Sequence, residues 1–214
     1  MPMPAQLKIY HITHVANLPG ILAAGGLWSD AAMLRNGGPQ TSIGMGHIKQ
    51  RRLSNPVTCH PQTHVGDYVP FYYCPRSVML YLIHRANDPN LAYQGGQAPI
   101  VHLVFDLGVV GRWAKDHVIP WAIALGNAGA YTTEFSSNSR DLHRLDWTAI
   151  GALNFSGRAV KDAKQSEFLV HDFVPWSLVE HIGVQNQAIL TRVRTLVTGN
   201  PSSPPVDLLP DWYF

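Results

Sequence analysis

Five short runs rich in β-branched and aromatic residues constrain this chain more than any other feature. Lys8–Thr13 (KIYHIT), Asp67–Tyr73 (DYVPFYY), Ile100–Phe105 (IVHLVF), Val118–Ala124 and Glu167–Val170 (EFLV) read as strands. Pro70 inside the second run marks an edge or a kink, because proline cannot donate to a ladder. Apolar residues fall at helical spacing after a candidate N-cap at Asn17, then over Arg76–Arg85, Asp141–Leu153 and Ile189–Val197. Gly25-Gly26 closes the first of these helices. Trp28–Ser54 reads mostly as loop, with helix starting near His47. A loop of that length in a compact domain is functional or mobile. Asn55–Gly66 and Asn127–Ser139 read as further loops, Pro201–Pro205 as a turn, and Val206–Leu209 as a last strand. Roughly five short strands and five helices in irregular order predict an α+β fold, not a doubly wound sheet. Residues 1–214 are expected to form a single domain.

Composition narrows the function classes. Apolar residues make up 46% of the chain, enough for a substantial core, while 14% charged residues exclude coiled coils and long solvated helices. No apolar run approaches the ~20 residues that span a bilayer, and Met1–Tyr10 has no signal-peptide core. The expectation is a soluble, cytoplasmic monomer with no membrane partner. A net charge of +2 does not by itself announce nucleic-acid binding. The run His47, Lys49, Arg51 and Arg52 contains no acid, however, so one basic face can form.

Familiar motifs are absent. There is no GxGxxG after a strand, no GxxxxGK[ST] and no GxSxG. His11 and His14 sit three apart on a strand and point to opposite faces. Cys59, His60 and His64 lack a fourth ligand and enclose Pro61, so no metal is expected. A strand histidine (His11), a loop arginine pair (Arg51-Arg52), strand tyrosines (Tyr68, Tyr72, Tyr73) and a glutamate heading a strand (Glu167) remain. Each alone is explained by core packing or surface charge. Spread along the chain, the combination suits a site assembled from several strands.

The segments IYHITHVANLPGIL, DYVPFYYCPRSVMLY, YQGGQAPIVHLV, GNAGAYTTEFS, KQSEFLV and the terminal DWYF occur in this order across nearly the whole chain. Through them the sequence resembles the DarT family, the DNA ADP-ribosyltransferase toxins of DarT–DarG toxin–antitoxin systems. The resemblance implies an ADP-ribosyltransferase-like fold, with two small sheets flanking an NAD cleft and helices around them. It implies NAD as co-substrate, single-stranded DNA as acceptor, thymine N3 as the modified atom, and a DarG-like macrodomain antitoxin as partner. Residue by residue, it places His11, Ile12, Thr13, Gly20, Trp28, Arg52 and Tyr72 around NAD, and gives catalytic roles to Arg52 and Glu167. Trp28–Ser54 would close over NAD, and the region before Glu167 would meet the acceptor. His47, Lys49, Tyr68, Asn127 and Arg158 are the candidates for holding DNA, with Arg140 and Arg144 as further surface cations.

The chemistry suits these residue types. Cleaving the ribose–nicotinamide bond builds an oxocarbenium-like sugar. A carboxylate can stabilise that charge and receive the base proton, and a guanidinium can hold either a thymine carbonyl or the NAD pyrophosphate. A base attacked on its Watson–Crick edge must be unpaired. Transfer to guanine or RNA, and a module that binds NAD or single strands without transfer, use the same residues and stay open at this level.

Overall fold

In a computed structural model, residues 3–154, 157–199 and 203–214 are described. The strand runs identified above form one twisted ladder. In chain order the elements are β1 (Lys8–His14), α1 (Leu18–Ala24), β2 (Gly26–Trp28), α2 (Asp30–Arg35), α3 (Gly46–Ser54), β3 (Tyr68–Tyr72), α4 (Val78–Arg85), β4 (Ile100–Asp106) and α5 (Leu107–Asp116). They continue with β5 (Trp121–Asn127), β6 (Phe135–Ser136), α6 (Trp147–Gly151), α7 (Arg158–Ala163), β7 (Ser166–His171), β8 (Phe173–Pro175), β9 (His181–Val184), α8 (Gln187–Val197) and β10 (Val206–Leu208). The eight-stranded order is β10-β9-β4-β1-β3-β7-β5-β6, and β2 pairs with β8 in a separate two-stranded sheet.

The large ladder is nearly two sheets. β1 and β4 pair along their full length, and so do β3 and β7. Yet β1 meets β3 only at Tyr10↔Tyr72. Pro70 lies where the two halves part. β3 is therefore not an edge strand; the proline is tolerated because the ladder to β1 is already open there. The α+β class is as expected, but its sheets are one of eight strands, nearly split between β1 and β3, and a small one of two strands.

Period-two alternation sorts side chains between layers. Ile9, Phe71, Phe105, Phe168 and Val170 enter the main core with α8 and Trp176. Ile12 faces the opposite side, with Leu80 and Ile83 of α4 and with Tyr213. β4 is buried on both faces and carries His102, which bonds the Pro75 carbonyl at 3.0 Å and the Tyr213 hydroxyl at 3.2 Å. Burial lowers the His102 pKa to about 4, so the imidazole is neutral and part of the core.

Several elements differ from the sequence reading. Trp28–Ser54 contains two helices. α2 starts on Ser29, whose hydroxyl accepts from the Ala32 amide at 3.2 Å. α5 starts on Asp106, which accepts from the Val109 amide at 2.9 Å, and it was hidden by Gly108 and Gly111. The single helix expected over Asp141–Leu153 is a 3₁₀ turn at Ser139–Arg144 followed by α6. The turn expected at Pro201–Pro205 begins outside the described residues. No helix among the described residues is long and apolar enough to cross a membrane.

Val118, between α5 and β5, has φ of +57° and is 88% exposed. A β-branched residue pays roughly 1–2 kcal/mol for that left-handed conformation. Val118→Asn is expected to stabilise the fold by about 1 kcal/mol and raise Tm by about 2–4 °C. A thermal melt of the two proteins checks this.

Candidate active site

A cavity of about 520 Å³ opens where β1 leaves β3. Its floor carries His11, Ile12 and Thr13 of β1, with Pro70 and Tyr72 of β3. Gly20 of α1, Trp28 of β2 and residues 38–45 form the surround, and Arg52 of α3 reaches in from the side. All seven residues expected around NAD thus line one cavity.

The floor is held by specific bonds. His11 Nδ1 lies 3.0 Å from the Pro70 carbonyl, bridging the two halves of the ladder at their parting. Burial lowers the His11 pKa, and the Pro70 carbonyl offsets part of that shift. Trp28 packs against Phe173, its register partner on β8, with ring centroids 4.5 Å apart and the planes tilted by 48°. Gly26 is required at that crossing, because a Cβ there would stand 2.2 Å from the Val174 carbonyl oxygen.

Asn17 does not cap α1 with its side chain. Its amide instead donates to Thr13 Oγ1 at 3.0 Å and to the Thr41 carbonyl at 2.9 Å, while its oxygen accepts from the Thr41 amide at 2.8 Å. This reciprocal pair ties the glycine-containing roof over the cavity to β1. The sequence reading missed this role, because its partner lies 24 residues away.

Beside the cavity, Arg52 and Glu167 form a bidentate pair, with Nη1–Oε1 and Nη2–Oε2 both 2.9 Å. The two side chains are only 9% and 6% exposed. Burial opposes the Arg52 charge, but attraction and hydrogen bonding from Glu167 outweigh it and hold the guanidinium protonated above its ordinary value. Glu167 stands opposite Tyr72 on the neighbouring strand. Burial, reinforced by the Glu167 charge, raises the Tyr72 phenol well above its usual range, so it stays a neutral donor. The sequence reading left the Arg51-Arg52 pair in a mostly loop segment, with helix starting near His47, and Arg52 falls on α3. It touches the Glu167 carboxylate directly, because opposite charges in apolar surroundings pair. A carboxylate has about four lone-pair positions, so each oxygen keeps one for another donor.

Glu167 is approached from a second direction. β5 runs beside β7 with an irregular register between Ala124↔Glu167 and Asn127↔Ser166. Bulges of this kind re-aim side chains next to active sites. The turn that follows is anchored to α3 by Asn55 Nδ2, which donates to the Ala128 carbonyl at 2.7 Å. Among the five DNA candidates, Asn127 shapes this turn. Its oxygen accepts from the Gly129 amide at 2.9 Å and its amide donates to Gln165 Oε1 at 2.8 Å. His47 is exposed at the start of α3. Lys49 faces the cavity and pairs with Asp30 at 3.3 Å, so its charge is already matched inside. Arg158 lies on exposed α7, 3.7 Å from Asp162. Tyr68 is a correction. It is fully buried and its hydroxyl is bonded to Thr63 Oγ1 at 2.9 Å, so it is a core residue with no face for a base. Of the further surface cations, Arg144 is paired with Glu134 at 2.6 Å. His60 bonds the Trp121 carbonyl at 2.8 Å, and the described residues hold no cluster of metal ligands.

Comparison with known proteins agrees with this geometry. A sequence model of the family described as "ssDNA thymidine ADP-ribosyltransferase, DarT" matches residues 10–214. A DNA ADP-ribosyl transferase of Thermus aquaticus is 39% identical over 213 residues, covering 99% of this chain and 90% of the relative. One from Mycobacterium tuberculosis is 33% identical over 202 residues, covering 91% and 83%. The structure superposes on Thermus sp. 2.9 DarT in complex with ADP-ribosylated ssDNA with a TM-score of 0.88, at 35% identity and full coverage of both chains. On the same protein in complex with NAD+ the TM-score is 0.83, at 33% identity and 99% coverage of both chains. A split ladder, a cavity at its parting and a buried Arg–Glu pair beside it therefore occur in a chain that belongs to the DarT family of NAD-dependent DNA ADP-ribosyltransferases.

Proposed function

We propose that this protein transfers ADP-ribose from NAD to thymine N3 in single-stranded DNA, and that the modified base blocks replication. The observation that carries this reading is the Arg52–Glu167 pair beside a cavity of about 520 Å³ floored by His11–Thr13. That volume lies within the ~300–1,000 Å³ of small-molecule sites. His11, Ile12, Thr13, Gly20, Trp28 and Tyr72 hold NAD there. Glu167 accepts a hydroxyl of the nicotinamide ribose on a free lone pair and stabilises the sugar cation as the bond to nicotinamide breaks. Thymine N3 then bonds to the anomeric carbon, and its proton leaves to the Glu167 carboxylate. Arg52 aims that carboxylate through both oxygens and turns toward a thymine carbonyl or the pyrophosphate. The Thermus structure with ADP-ribosylated ssDNA supports a DNA acceptor. The protein acts as a cytoplasmic monomer, where NAD and unpaired replicating DNA meet, and a DarG-like macrodomain antitoxin reverses the mark.

Four homopolymeric single strands and an RNA strand, each incubated with the protein and NAD, test the acceptor by mass spectrometry. A gain of one ADP-ribose on oligothymidine alone is expected; a gain on guanine or RNA instead would move the acceptor. The roof is tested separately. Asn17→Ala removes three hydrogen bonds, one to Thr13 of β1 and two to the Thr41 backbone, each worth about 0.5–1.5 kcal/mol. It is expected to raise KM for NAD about tenfold with a smaller change in kcat, which steady-state kinetics with NAD varied would read.

A further inference from the structure

Arg51 is the neighbour of Arg52, yet its side chain serves neither the cavity nor Glu167. We infer that Arg51 and Tyr131 form the subsite that grips the acceptor strand next to the base being modified. The inference rests on the DNA-modifying reading above and names residues for which neither the resemblance nor the geometry of the catalytic pair accounts.

Three observations carry it. The Arg51 Nε atom is buried without a hydrogen-bond partner, and among the described residues no carboxylate pairs with its guanidinium. Arg52, Lys49, Arg144 and Arg158 all have acids opposite them. A cation held in place without a counter-charge is complementary to an anion that comes from outside. Second, the guanidinium is held at the turn after β5. A Cβ added at Gly129 would stand 3.4 Å from Arg51 Nη2 and 3.5 Å from Ile48 Cγ2, and Asn55 fastens the same turn to α3. Third, Tyr131, two residues further along that turn, is 71% exposed, whereas Tyr68 and Tyr73 are buried. The turn leaves β5 directly beyond Asn127, which stands opposite Ser166, the residue before Glu167. A cation with no carboxylate opposite it and an exposed ring therefore share the turn that leaves β5 beside the strand of Glu167. Together they match a phosphate and a neighbouring base of a single strand, where stacking on an aromatic ring is tolerant of sequence.

The test is steady-state transfer to oligothymidine at several salt concentrations. Arg51→Gln is expected to raise KM for the strand about tenfold. It should also flatten the slope of log KM against log salt by about 0.7, the loss of one phosphate contact to a single strand. Arg51→Lys is expected to restore the slope, which a role confined to holding the turn would not do. Tyr131→Ala is expected to raise KM for the strand about tenfold with the salt slope unchanged, and Tyr131→Phe to behave like the parent. NAD affinity, read by calorimetry, reports that the cavity is intact in each variant. If the parent modifies oligothymidine and Arg51→Gln leaves both KM and the slope in place, the subsite is wrong while the transfer reading stands. If the parent modifies no single strand, the transfer reading itself is wrong.

Discussion

Glu167→Gln is expected to slow ADP-ribosyl transfer to single-stranded DNA by about 10³-fold, with KM for NAD changed far less. Removing one preorganised electrostatic group from a water-excluded site typically costs ~10²–10³ in kcat. Glu167 would serve twice, stabilising the sugar cation and receiving the base proton, so the larger figure applies. Glutamine keeps the shape but presents an NH₂ group to a guanidinium that already donates through Nη1 and Nη2. Its amide therefore cannot reproduce the fork. Single-turnover rates with saturating NAD and oligothymidine measure the effect, and a melt of the same variant separates chemistry from folding.

The second large effect is on stability. Arg52→Ala leaves the Glu167 side chain, 6% exposed, without its partner. Breaking a buried pair from one side typically costs 3–5 kcal/mol, chiefly because a charge stays buried and unmatched. For a chain of this size that lowers Tm by roughly 10 °C. The double change Arg52→Met with Glu167→Leu replaces both charges with apolar groups and is expected to recover most of the lost stability while remaining inactive. Urea unfolding of the parent, Arg52→Met, Glu167→Leu and the double variant, compared as a cycle, reads this directly. Recovery in the double variant would identify the pair as a functional arrangement that the fold tolerates at a cost.

Legibility in the sequence followed burial and local spacing. β1, β3, β4 and β7 were readable because strands buried in a sheet demand unbroken β-branched and aromatic runs, as in Ile100–Phe105. β2, β8 and β9 were not, since three or four residues carry no period. α2 was obscured by Gly37-Gly38-Pro39 just beyond it, although Ser29 and the alanines that follow were a usable start signal. The choice of Arg52 and Glu167 as the candidate catalytic pair came from the family resemblance. Residue types alone could not choose between Arg51 and Arg52, because neighbours on a helix point about 100° apart. One is buried on Glu167, and the other reaches the turn at Gly129. Tyr68 was misplaced for a related reason. A tyrosine on a strand faces the core or a ligand according to register, and here its hydroxyl is spent on Thr63. Asn17 shows the opposite case, a residue that resembled a helix cap but has a long-range role in holding the roof at Thr41.

Mass spectrometry of a strand with one thymine among adenines and cytosines, incubated with NAD and either the parent or Glu167→Gln, tests the central proposal most directly. One ADP-ribose on the thymine base with the parent, and an unmodified strand with the variant, is the predicted result. Modification that persists without the carboxylate, or a parent that leaves the strand unmodified, would contradict it.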